Sequence, residues 1–128
     1  MADTSFRHLT VYNKAFDLAM DIYKVSKNFP KHEMYSLTDQ IRRSSRSVCS
    51  CIGEAYRKQL YEAYFVSKAS DSDMENSETQ VWLDFALACD YIDGELHKEL
   101  MRRSEEVGRL LNHMIEFPEK YRRNRPKS

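Results

Sequence analysis

Arg42, Arg43, Arg46, Arg57 and Lys58 crowd one short segment, Gln40 to Lys58, in which Glu54 is the sole acid. On a helix, at about 100 degrees per residue, the four arginines fall within an arc of about 100 degrees, opposite Leu37, Ile41, Val48 and Ala55. Guanidinium forks match phosphate oxygens, so such a strip can follow a nucleic-acid backbone. It can also be an ordinary solvated face, or pair with acids of the same or a neighbouring chain, and charge alone favours the solvated face. The tail from Lys120 adds Arg122, Arg123 and Arg125 to the candidate phosphate ligands. Against them stand eight acids from Asp71 to Glu95, a stretch with no lysine or arginine. With 20 basic and 20 acidic residues the chain is neutral, yet its charge is segregated along the sequence.

Few other residues are spaced for chemistry. Di-iron bundles set a glutamate three positions before a histidine, and none of His8, His32, His97 or His113 has one. Cys49 and Cys51 would point about 200 degrees apart on a helix, and with Cys89 they read as structural free thiols of a reducing cytoplasm, not as a metal or redox pair. No glycine-rich phosphate loop occurs, and no Ser, His and Asp set stands out. Glu75 and Glu78 could bind a metal in a hydrolase, but a solvated face or an intersubunit ion-pair surface fits them better. The expectation is a protein without catalytic residues, cofactor or metal, and with no membrane span, since no apolar run reaches about 18 residues.

Long helices are needed to present these residues, and only three prolines and three glycines punctuate the chain. Val11, Ala15, Leu18, Ile22, Val25 and Phe29 advance in steps of four and three, the spacing of one helix face that Pro30 terminates. Leu37, Ile41, Ser44, Val48, Ile52 and Ala55 form a second such stripe. For the third helix, Ala63, Ser67, Ser70, Met74, Ser77, Val81, Phe85 and Ala88 are the expected core face. Asp93 is placed to cap a fourth helix carrying Leu96, Leu100, Arg103, Val107, Leu110, Met114 and Phe117. Short connections make these antiparallel neighbours, so the expected fold is an all-α, up-down-up-down four-helix bundle over residues 9–117, with an N-terminal lead-in over 1–8 and a basic, flexible tail over 118–128. Tyr12, Phe16 and Tyr23 on the first helix, and Leu111 and Ile115 on the fourth, exceed what one core seam requires and are candidates for a subunit interface.

The run from Leu37 to Val48, with Gln40, Arg42, Arg43 and Ser47, continuing to Ile52 and Glu54, resembles the central motif of a bacterial family encoded by intervening sequences in 23S ribosomal RNA genes, the S23 family. Phe6 to Ala15, Asn28-Phe29-Pro30, Glu78-Thr79-Gln80 and Tyr91-Ile92 support the resemblance, which covers residues 6–117. The chain departs from that pattern at Cys49 and Cys51, at Gly53-Glu54-Ala55, and at Asn76, where the family usually has glutamate. The resemblance implies a four-helix bundle assembled as a homopentamer. It also implies kinship with the accessory variability determinants of diversity-generating retroelements, which bind nucleic acid and a reverse transcriptase. The resulting expectation is a cytoplasmic, non-enzymatic, oligomeric accessory protein that binds RNA or DNA. The alternative is a protein-interaction scaffold that binds none.

Overall fold

The four-and-three spacing translates into four long helices. A computed structural model describes residues 5–122. In it α1 spans Thr10–Ser26, α2 Leu37–Arg57, α3 Glu62–Ala88 and α4 Gly94–Glu116, with 3-10 turns at Phe6–His8, Lys31–Glu33 and Pro118–Lys120 and no strand among the described residues. Each helix packs on the next and α4 returns to α1, whereas α1 and α3 make no close backbone approach. The result is the up-down-up-down four-helix bundle, with α1 and α3 on one diagonal and α2 and α4 on the other.

The helix ends follow local rules. Asp93 accepts the Leu96 backbone N–H at 2.8 Å and so caps α4. Helix α3 closes with Asp90 in the left-handed region at φ 61, while Tyr91 N–H donates to Ala86 C=O at 2.9 Å and Asp90 N–H to Leu87 C=O at 3.0 Å, the paired bonds of a Schellman motif. The residues on either side of the bundle are also held. Phe6 lays its ring on α2 at Gly53, where an added Cβ would lie 3.5 Å from the ring. At the other end Pro118 is buried and Tyr121 packs against the core.

The core has two apolar lobes. One gathers Leu9, Val11, Val48, Ile52, Phe65, Val107, Leu111 and Met114, and the other Leu18, Ile22, Ile41, Leu83, Ile92 and Leu100. Between them lies a buried polar belt. Ser72 Oγ donates to Val48 C=O at 2.8 Å, Asn76 Nδ2 to Ser104 C=O at 2.9 Å, and Ser104 Oγ to Asn76 Oδ1 at 3.0 Å. Thr79 Oγ1 and Ser44 Oγ bond at 2.8 Å, and Gln80 Nε2 donates to Ser104 Oγ at 3.0 Å. A neutral amide at Asn76 is what lets this belt close.

Two expectations about facing are overturned. The buried residues of α3 are Phe65, Ala69, Ser72, Asn76, Thr79, Leu83 and Ala86, and every member of the expected stripe from Ala63 to Ala88 is exposed. The belt explains the inversion, because much of the true core face is polar. On α4 the buried face is Leu100, Ser104, Val107, Leu111 and Met114. Arg103 sits beside it, bonded to Asp21 at 2.7 Å.

Candidate functional site

Helices α1 and α2 pack so that the second stripe of α1 and the arginine side of α2 border one groove of about 700 Å³. Its floor is apolar, made by Phe6, Tyr12, Phe16, Ala19 and Met20 with Cys49 and Gly53, and its rim carries Arg46, Arg57, Lys58 and Lys68 together with one carboxylate, Glu54, which Lys68 pairs. Phe16 is 46% exposed and Met20 41%, a large apolar surface for positions flanked by cations. Tyr12 and Phe16, read from the sequence as interface, and Arg46, Arg57 and Lys58, read as phosphate ligands, are thus one site. Tyr64, Lys68, Met20 and Phe6 complete it, and nothing in the spacing of α1 or α2 alone signals them.

The cations differ in what they do. Arg42 does not share the outward face expected of it. Its Nε donates to Ser26 Oγ at 2.7 Å and its guanidinium lies 4.8 Å from the Tyr23 ring centre, so it leans onto α1 and is half-buried. Arg46 and Lys27 approach the same ring, at 5.4 and 4.9 Å, which makes Tyr23 the centre of a cationic cluster. Arg43 stands exposed at the corner of α2, and Lys58 lies 5.6 Å from the Tyr64 ring. Among the described residues, none of Arg42, Arg43, Arg46, Arg57 or Lys58 forms a salt bridge, although Lys68 pairs with Glu54 at 2.9 Å.

Other candidate residues are placed differently. Leu111 is 0% exposed inside the first lobe, so as a subunit contact it is corrected to a core residue. Leu100, Val107 and Met114 of the expected α4 stripe are buried, but Ser104 and Leu111 take the inward places expected of Arg103 and Leu110, which leaves Leu110 at the edge. Ile115 is half-buried against the same lobe. Arg122 donates to the carbonyls of Gln59 and Leu60 and pairs with Glu62, so it ties the chain end to the α2–α3 connection instead of standing free for phosphate. Arg123 and Arg125 lie outside the described residues.

On the opposite diagonal corner, the exposed α3 stripe from Ala63 to Ala88 covers an arc of about 80 degrees and contains no charged side chain. Met74 is 67% exposed, Val81 47% and Phe85 53%. Asp71, Glu75 and Glu78 flank it on one side and Asp73 and Asp84 on the other. Of these, Asp73, Glu75 and Glu78 form no salt bridge among the described residues.

Among the described residues, the raised or lowered titratable groups are explained by burial, local hydrogen bonds and nearby charge. Burial pushes the Cys49 thiol up to about 11, and burial, then the nearby Glu54 carboxylate, raises Cys51. Glu33 accepts from Ser36 Oγ at 2.5 Å and from Tyr91 Oη at 2.7 Å, and these bonds hold its carboxyl below the ordinary range. Among the described residues, no three His, Cys, Asp or Glu side chains come together as a metal site, and no helix is long and apolar enough to cross a membrane.

Comparison with known proteins adds two findings. The family model described as 23S rRNA-intervening sequence protein matches residues 7–113. A crystal structure from Bacteroides thetaiotaomicron, described as a protein with unknown function from the S23 ribosomal protein family, superposes with a TM-score of 0.76 at 28% identity, over 83% of this chain and 95% of that one. No curated protein matches.

Proposed function

The chain belongs to the 23S rRNA-intervening sequence protein family, and on that premise we propose that it is a non-enzymatic, oligomeric accessory protein that binds nucleic acid through phosphate contacts on α2. One observation carries the reading: among the described residues, the cations of α2 have no carboxylate partner, in a chain that holds as many acids as bases. Clustered cations without partners repel one another, and a polyanion relieves that repulsion while releasing its own counterions. From Arg43 to Lys58 the helix extends about 22 Å, so these two exposed cations can reach separated phosphates of one backbone. Repetition of the strip in an assembly, five subunits on the family resemblance, adds weak contacts through multivalency.

The test is titration of a labelled RNA at several salt concentrations with wild type and with an Arg43→Glu, Lys58→Glu variant. Weaker binding is expected, with a salt slope shallower by about 0.7 to 0.9 for each phosphate that is no longer neutralised. A folded variant with unchanged affinity and slope would sink the reading. Assistance to a reverse transcriptase is the narrower form of the proposal, supported by the resemblance alone and tested by co-purification with such an enzyme. The competing reading, a scaffold that binds only protein, draws on the exposed α3 stripe.

A further inference from the structure

The α3 stripe is an exposed apolar face with a regular helical period, a pattern that surface helices rarely keep without a partner to cover it. We infer that Met74, Val81 and Phe85 on this face dock into the α1–α2 groove of a second copy of this chain, with the carboxylates that flank the stripe meeting the cations on the rim of the neighbour's groove.

Charge selects this pairing. The stripe is bordered by carboxylates and the groove by four cations against the single carboxylate of Glu54, and Glu75, Glu78, Arg46 and Arg57 all lack salt-bridge partners among the described residues. Stripe against stripe would oppose two rows of carboxylates, and groove against groove two rows of guanidinium groups, both unfavourable. The dimensions agree. Met74 and Phe85 stand eleven residues apart on α3, as do Arg46 and Arg57 on α2, so each pair spans about 16 Å along its helix. Position agrees as well. The start of α3 lines the groove through Tyr64 and Lys68, but Met74, Val81 and Phe85 do not reach it, so a chain cannot satisfy itself, and each copy offers one half to each of two neighbours. Such a contact is heterologous and generates a ring when the rotation closes.

The inference rests on the oligomeric part of the proposed function and apportions the cations: Arg46 and Arg57 go to the neighbour, while Arg43 and Lys58 stay open to phosphate. Loss of RNA binding by a variant that still assembles therefore concerns Arg43 and Lys58 and leaves this interface standing.

The experiment is mass measurement by light scattering on the eluted full chain. Wild type at micromolar concentration should exceed the 15.2 kDa chain mass several-fold. A Val81→Asp, Phe85→Asp variant loses the stripe and keeps the groove, and Phe16→Asp does the reverse, so each should be a monomer with unchanged helical circular dichroism. Mixed in equal amounts, they retain one intact half each and should form a heterodimer at twice the chain mass, with nothing larger. A second pair, Arg46→Glu with Arg57→Glu and Glu75→Arg with Glu78→Arg, should each assemble poorly alone and, when mixed, form assemblies in which the two variants alternate, with an even number of subunits. A monomeric wild type, a stripe or groove variant that keeps the wild-type mass, or mixtures that stay monomeric would overturn the inference.

Discussion

Leu111 and Phe16 look alike in the sequence, each a large apolar residue outside the simplest stripe, and the structure gives them opposite consequences. Leu111→Ala should cost about 2–5 kcal/mol through a cavity in the first lobe, whereas Phe16→Ala, at a position exposed within the single chain, should leave the stability measured in urea within about 0.5 kcal/mol of its parent when both are compared in the monomeric Val81→Asp, Phe85→Asp background. Asp90 holds a positive φ that glycine adopts without strain, so Asp90→Gly should stabilise by about 0.5–1 kcal/mol and raise the melting temperature by a few degrees. Cys49 is buried and its thiol raised to about 11, while Cys89 is exposed. Iodoacetamide at neutral pH should therefore modify Cys89 well before Cys49, as peptide mapping would show. The bond between Glu33 and Tyr91 has a pH signature at both ends. Because the Glu33 value is lowered from 4.5, its stabilisation is present above that value and fades as pH falls through the folded one. Because Tyr91 is raised from 10.0 to about 12, its share is full below 10 and lost as pH rises through about 12. Tyr91→Phe should abolish the alkaline limb of a stability-against-pH curve and reduce the acid limb only in part, since the Ser36 bond, the larger cause of the Glu33 shift, remains.

At the scale of the element, α1, α2 and most of α4 are legible in the sequence because their buried faces are apolar and their exposed faces charged. Helix α3 is not. Its buried face includes Ser72, Asn76 and Thr79, while its exposed face is free of charge, so the period of uncharged residues points the wrong way. Periodicity reports which residues align, and only packing decides whether that line faces in or out. The departure at Asn76, visible in the sequence as a change from glutamate, is explained once the residue is seen bonded to Ser104 from both its amide atoms. Asn76→Ala should destabilise by about 1–3 kcal/mol, measured in urea, because buried Ser104 groups are left without their partner. Arg42 escapes the sequence for a related reason: its backbone position is outward, but its long side chain bends to Ser26 and Tyr23 on α1, which the pattern of α2 cannot reveal.

For the whole molecule, the bundle and its family are within reach of the sequence, since helix periods, caps and a dispersed set of motifs all agree on them. The groove is not, because its lining comes from the first turn, α1, α2 and the start of α3, and only tertiary packing brings these together. The polar belt has a consequence in time as well as in space. It divides the interior into two hydrophobic lobes, one toward each end of the bundle. Hydrogen bonds across the belt join the ends but contribute less cohesion than apolar packing would. The two ends should therefore open as separate cooperative units below the global unfolding free energy, a behaviour that native-state hydrogen exchange resolves. Amides near Ile52 and Phe65 should exchange through one opening and those near Ile41 and Leu83 through another, with different denaturant dependence, and replacing Asn76 and Ser104 together with well-packed apolar residues should merge the two into one.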